Sequence, residues 1–455
     1  MIVEAPPKPV AAPSPVGQPP LGQSSAAPPA APLAGAFIPK PPLTFAEAGL
    51  DPGVVEALIL KYLMAVGSAT GAAISEELCL PSDPIIEYLA GLKLQQIVVH
   101  VGASQVGDFT YMLTDAGRDR ARRLLLESMY VGPAPVPLDA YIASISAQTI
   151  TRLTPHEKEL REAFSDLVIT DEMFETLGPA INSGRGMFLY GSPGNGKTSI
   201  AERVTRCFGD SIYIPKCVIV DGIIIKLFDA AQHEPVEQKR SSIYKKDRAD
   251  DRWIRIRRPT IIAGGELTLD ALEVRYNPTS KTCEAPMQMK SNCGTLCIDD
   301  FGRQRVQPIE LLNRWILPLE KRFDFLALPN GKKVQIPFDQ LIIFSSNLEP
   351  KALCDEAFLR RIPYKINIPD PSEETFRKLF EFVGPRLGFK LDAPAAAAID
   401  HLIAKHYRAA NRPFRCCQPR DMLMQVRNRC LYLGQPLRLA PELFDYAVSV
   451  YFTVM

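Results

Sequence analysis

Hydrophobic and polar positions divide the chain into stretches of different period. Residues 1–43 show no apolar periodicity: 13 of them are proline, set among Ala, Gly, Ser and Gln. Such a composition cannot bury enough apolar surface to offset the entropy of ordering, so a disordered Pro/Ala-rich tail is expected. From Phe45 the pattern turns helical, through Val54–Val66 and then Ala72–Leu78. Ser82-Asp83-Pro84 reads as a cap with proline at the first helical position, opening a third helix that sends Ile85, Ile86, Tyr88, Leu89, Leu92 and Leu94 towards a core. Ile97–Val101 and Phe109–Leu113 alternate as strands around the loop Gly102–Asp108, and Thr114–Arg118 starts another helix. Val131–Pro137 reads as the start of a linker over 131–150. Beyond it, strands and helices alternate. Phe188–Tyr190, Thr295–Ile298 and Gln340–Ser346 are short buried strands, Cys217–Ile224 is expected as a second core strand, and Ser199–Phe208 as a helix. In 322–339 two strand-like runs flank Asn330-Gly331, a strong hairpin signal. From Pro371 to Met455 the pattern is mostly helical.

Size and composition refine this division. A chain of 455 residues exceeds one ordinary domain and suggests about three folded units. Lys plus Arg (52) balances Asp plus Glu (51), which excludes a whole-molecule attraction to nucleic acid or anionic membrane. No stretch reaches the roughly 18–20 apolar residues of a membrane span, and the first residues lack a secretory pattern. A cytoplasmic protein without direct membrane insertion is expected. The ten cysteines include no CxxC pair, so reduced, mostly buried thiols are expected. His401 and His406 are five apart, off the same-face spacing of an α-helix, and read as helix surface rather than metal ligands. Cys416-Cys417 reads as packing, since adjacent cysteines poorly satisfy disulfide geometry.

The element order over 44–130, with Tyr111–Gly117 ("YMLTDAG") joining strand to helix, resembles a winged helix-turn-helix domain. Such domains often bind DNA, but Phe45–Tyr130 carries 11 acidic residues against six basic ones, and its third helix offers Asp83, Glu87 and only Lys93. Phosphate neutralisation supplies most DNA affinity, so docking to protein is the better expectation.

Strand Phe188–Tyr190 runs into Gly191-Ser192-Pro193-Gly194-Asn195-Gly196-Lys197-Thr198, and a helix follows from Ser199. Strand, glycine-rich loop and helix are the context that the GxxxxGK[ST] phosphate-binding pattern requires. Loop N–H groups and the helix N-terminus would cradle the phosphates of ATP, Lys197 would neutralise the β- and γ-phosphates, and the Thr198 hydroxyl would ligate Mg2+. About 100 residues on, the buried strand Thr295–Ile298 ends in Asp299-Asp300. Asp299 would hold the magnesium through water, and Asp300 would orient or deprotonate the attacking water.

With these motifs the chain resembles the AAA+ ATPases, over roughly Leu167–Phe452. The resemblance implies an α/β P-loop core over 151–369 and a helical lid over 370–455. It implies Asn347, at the end of Gln340–Ser346, as a sensor of the γ-phosphate. In Asp355–Ile362, Arg361, with Arg360 as substitute, matches the arginine finger that reaches a neighbouring subunit, which implies a homo-oligomeric ring, expected to be a hexamer. Arg420 matches a second sensor on the lid. The sequence departs from the family in placing Asp rather than Glu at position 300, which bears on turnover. The hairpin before the sensor strand resembles the MoxR-like chaperone ATPases and the enhancer-binding activators, whose "GAFTGA" loop is absent. The wording of 264–290 suggests a bacterial MoxR-like subfamily associated with pili or secretion.

A β-rich insertion is expected over about 237–290. Its start, Glu237–Arg258, holds nine Lys/Arg and four acids with Tyr244 and Trp253 among them. It reads either as a substrate loop for an acidic or nucleic-acid partner or as a solvated insertion with "RWIRIRR" as an edge strand. Three functions follow: a magnesium-ATP-driven motor that remodels an unidentified protein client, a nucleic-acid-associated regulator or loader using the winged helix or the basic insertion with Arg255, Arg257 and Arg258, and a nucleotide-gated switch with little turnover.

Overall fold

The computed structural model describes residues 37–105, 108–236 and 249–453. Residues 1–36 of the expected tail and 237–248 of the basic run, including Tyr244, lie outside the described residues.

Helices Pro52–Val66, Gly71–Leu78 and Ser82–Leu94 pack with a three-stranded antiparallel sheet, in which Asp108–Leu113 lies between Ser68–Thr70 and Val98–Gln105. Helix Asp115–Glu127 closes the unit. Local chemistry explains its junctions. Thr70 and Thr114 cap the helices that follow them, and the Asp108 carboxylate accepts from Gly71 N (2.9 Å) and Ala72 N (3.0 Å), pinning the second strand pair to the start of a helix. Gly117 is required by close approach, since a Cβ there would lie 2.1 Å from the Ile97 carbonyl. Two expectations fail. Ser82 does not cap the third helix but bonds the Ser75 hydroxyl, and Leu94, expected in the core, is 86% exposed because the helix ends there.

A buried ion pair, Arg252–Asp250 (2.8 Å), ties this unit to the rest: Arg252 Nη1 also donates to Ala48 O (2.9 Å) and Pro135 O (3.4 Å). The 131–150 stretch carries strand Val136–Pro137 and helix Leu138–Gln148, whose Gln148 amide bonds both backbone groups of Tyr213. Val136–Pro137 joins a second five-stranded sheet with Cys217–Val220, Ile223–Lys226, Thr282–Glu284 and Arg275–Asn277. Cys217–Ile224 is therefore not a core strand beside the phosphate loop. It is most of a hairpin that reverses at Asp221-Gly222, both with positive φ (48° and 79°).

The central sheet is parallel throughout. Its strands are β1 (Met187–Tyr190), β2 (Thr260–Ala263), β3 (Thr295–Ile298), β4 (Leu341–Ser346) and β5 (Tyr364–Asn367), in the order β2-β3-β4-β1-β5. Thr260–Ala263, expected as part of the insertion, is thus the true second strand, in register with β3 from Thr260↔Thr295. Near-continuous apolar runs suit strands covered on both faces. Phe188, Phe301, Phe344 and Trp315 form one aromatic cluster on one face, with Trp315 from helix α2 (Pro308–Lys321). The other face receives Ile200, Ala201 and Val204 of helix α1 (Lys197–Val204).

The expected hairpin is present as Phe323–Ala327 paired with Lys333–Pro337. The C-terminal unit comprises α3 (Glu373–Val383), α4 (Ala393–Leu402), a π-helical turn Ile403–Arg408, α5 (Gln418–Tyr432) and α6 (Pro441–Tyr451) around Phe376, Phe380, Tyr407 and Phe444. Among the described residues no helix is long and apolar enough to cross a membrane.

Candidate functional site

The connection from β1 runs towards β2 and that from β4 runs the other way to β5, which opens a crevice at the carboxyl ends of β1 and β4. Gly191–Thr198 fills it. Pro193 and Gly194 form the exposed tip, Asn195 is buried, and Gly196 caps α1, whose first turn presents its N–H groups and positive dipole end. Lys197, 6% exposed, folds back over the loop: its ammonium donates to Gly191 O (3.0 Å), Ser192 O (2.9 Å) and Asn347 Oδ1 (2.8 Å). Burial lowers its pKa from the ordinary lysine range, Asp299 and Asp300 oppose that shift and Arg415 adds to it. A buried ammonium held by neutral oxygens gains most from an anionic partner.

The Thr198 hydroxyl donates to Asp299 Oδ2 at 2.8 Å, although the two residues lie on different strand connections. Both follow buried strands, and Asp299 N is held by Ala263 O (2.8 Å) of the neighbouring strand. Asp300 takes the left-handed backbone region (φ 49°), which a short side chain tolerates, and its carboxylate accepts from Asn347 Nδ2 (3.1 Å). Asn347 thus bridges Lys197 and Asp300. Ser199 lies one residue further along α1, and its backbone carbonyl accepts from Arg203 Nη1 (3.3 Å).

The C-terminal unit reaches this loop through Arg415, Cys416 and Cys417. Cys417 N donates to Gly194 O (2.9 Å), and Cys416 N to Asn195 Oδ1 (3.3 Å). Contact is so close that a Cβ on Gly194 would lie 2.6 Å from Cys417 Sγ. Asn195 Nδ2 and the Arg415 guanidinium both bond Asp370. Burial alone would raise the Asp370 carboxyl; bonds from Asn195 and Arg415 hold it below the usual carboxylate range. Arg420 is turned onto Asp421 (3.0 Å) with its side chain 62% exposed, so the arginine beside the loop is Arg415. Arg415 sits in an irregular connection before α5, where no periodicity could single it out.

Arg360 and Arg361 lie elsewhere. They precede β5, at the amino ends of the strands, and line a cleft of about 440 Å3 with Arg185, Arg322, Leu319 and Glu320. Arg361 Nε donates to Glu320 Oε1 (2.6 Å). Arg322 lies near Asp339 (3.6 Å), and burial lowers its pKa. Arg185 and Arg322 were not legible as members of this group, since each flanks a different element.

A five-stranded parallel sheet with this loop, lysine and paired aspartates defines the P-loop nucleotide-binding α/β class. Residues 372–450 match a family described as a domain of unknown function (DUF8689). Over 100 residues the chain is 36% identical to the 26S proteasome subunit RPT4 of Saccharomyces cerevisiae, covering 20% of this chain and 22% of that one. Among solved structures it is similar to NtrX from Brucella abortus in complex with ADP (14% identity, 62% of this chain and 56% of that one, TM-score 0.37). It is also similar to a point mutant of RuvB from Thermotoga maritima (11%, 67% and 72%, TM-score 0.34). The chain therefore spans about a fifth of the length of the proteasome subunit and 56% of the NtrX chain.

Proposed function

We propose that the chain is an AAA+ ATPase that hydrolyses magnesium-ATP at the interfaces of a homo-oligomeric ring, taken as a hexamer, and uses the cycle to remodel a protein partner. The observation that carries this reading is the hydrogen-bonded set Lys197–Asn347–Asp300 beside Thr198–Asp299. Asn347 touches both the lysine that would meet the γ-phosphate and the carboxylate that would control the water, so a change in phosphate occupancy is felt at Asp300. Thr198 and Asp299 form an oxygen-only donor set, which suits Mg2+. Bound there, the ion would neutralise charge on the phosphates. Lys197 holds the phosphates, Asp300 orients water, and Asn195 and Asp370 link the loop to the lid.

Ring assembly is supported by the position of the arginines. Arg360 and Arg361 stand at the opposite strand ends from their own phosphate loop, about 13 Å away for four residues of strand. That placement suits a role toward a phosphate on another copy rather than on their own.

A protein partner is favoured over nucleic acid by two surfaces. On the 44–130 unit, which we take as a winged helix, Leu94, Val101 and Val99 are exposed where a DNA reader would carry bases. In the basic run, Arg252 is buried against Asp250, Arg257 pairs with Glu234 (3.0 Å), and Arg258 donates to Gln148 O and Cys293 O. The MoxR-like branch and a pilus or secretion setting rest on sequence wording alone.

The test is magnesium-dependent ATP hydrolysis measured against protein concentration beside light scattering. Specific activity that rises as a large assembly forms supports the reading. A wild-type chain that binds ATP yet stays monomeric and inactive at every concentration contradicts it.

A further inference from the structure

α4 runs into the π-helical turn Ile403–Arg408, where Ala409 N bonds Ala404 O (3.0 Å), five residues back. In an α-helix residues five apart diverge by about 140° around the axis. The wider turn undoes that divergence, and His401 and His406 come to one face, both pointing Nε2 at Asp445 of α6. Distances to the same Oδ1 atom are 3.0 Å from His401 and 2.5 Å from His406. All three ligand atoms lie within 4.8 Å of one another, the only such convergence of three His, Cys, Asp or Glu side chains among the described residues. Single π-turns inside helices are frequent at functional sites.

We propose that His401, His406 and Asp445 form a binding site for a divalent transition-metal ion, with zinc as the natural probe. The donor set is two imidazoles and one carboxylate, the mixture that borderline ions such as zinc select over the oxygen-only sites of magnesium. Donors at about 2.1 Å from a shared ion are separated by roughly 3.0–3.4 Å for angles between octahedral and tetrahedral. His401 already stands at that separation from Asp445, and His406 needs to retreat by about half an ångström to reach it. The three side chains are partly exposed, at 32%, 16% and 35%, so water completes the coordination. Lys405 Nζ holds the other carboxylate oxygen, Oδ2, at 2.9 Å, leaving Oδ1 to the imidazoles. Its charge also competes with a cation. An ion here would staple α6 to the end of α4, inside the 372–450 stretch that the family of unknown function matches. The site is separate from Thr198 and Asp299.

The test is a zinc titration of the full chain without nucleotide, with metal content after dialysis and cobalt(II) absorption as a second readout. The expected result is one zinc per chain, cobalt d–d bands without sulfur-to-metal charge transfer, and affinity reduced about 100-fold or more in His406→Asn and Asp445→Asn. Lys405→Met keeps all three ligands, and it should bind zinc several-fold more tightly whatever the two ligand variants do to folding. Zinc affinity unchanged in His406→Asn and Asp445→Asn, or a Lys405→Met chain that binds no tighter than wild type, overturns the proposal.

Discussion

At the carboxyl ends of β1, β3 and β4 the chain gathers a lysine, a hydroxyl, two carboxylates and an amide, already bonded as Lys197–Asn347–Asp300 and as Thr198–Asp299. At the amino ends of β1 and β5 it gathers four arginines beside Glu320, with Asp339 near Arg322. The first set can hold a nucleotide and its ion. The second is rich in guanidinium groups and lies away from the phosphate loop. On the reading proposed above, separating the two by the length of the strands would make each copy dependent on a neighbour, which a ring would supply to every member.

Breaking the amino-end set should have the largest effect. Arg361→Ala is expected to lower turnover about 10^3-fold while ATP affinity, measured by equilibrium dialysis, stays near wild type. Arg360→Ala should cost less, because Arg361 is the one anchored on Glu320. At the carboxyl end, Asp300→Asn should lower turnover about 10^2-fold with binding retained, read by single-turnover hydrolysis. Arg415→Ala releases Asp370 and loosens the lid's hold on Asn195; a rise in KM of about three- to tenfold with a smaller change in kcat is expected.

The smallest effect lies away from both ends. Lys61 is buried in Pro52–Val66, donates to Ser128 O (3.3 Å), and burial brings its pKa down to about 8, with Glu127 opposing. Between that value and the unfolded lysine range the unfolded chain binds more protons, so stability rises with pH through this window. Urea titrations at pH 7 and pH 9.5 should show this rise in wild type and not in Lys61→Met.

The phosphate loop, the aspartate pair and Asn347 were legible because each follows a short apolar strand, and strand ends are where a parallel sheet places its chemistry. The hairpin around Asn330-Gly331 was legible for its turn residues. Cys217–Ile224 misled because an apolar run is the same whether it crosses a sheet or folds on itself; Asp221-Gly222, a hairpin dipeptide, was the overlooked sign. His401 and His406 were set aside on an α-helical period that the chain abandons at Ile403. Arg415, Arg185 and Arg322 are brought to their places by tertiary packing alone.

The most direct measurement is ATP hydrolysis by mixtures of Asp300→Asn and Arg361→Ala chains, each expected to be strongly impaired alone, co-assembled at varied ratios. If the arginine acts on a neighbour's nucleotide, Asp300→Asn chains lend Arg361 to intact sites, and a 1:1 mixture recovers activity at about a quarter of the interfaces. Mixtures as inactive as their parents at every ratio, in assemblies shown to contain both chains, would contradict hydrolysis between subunits.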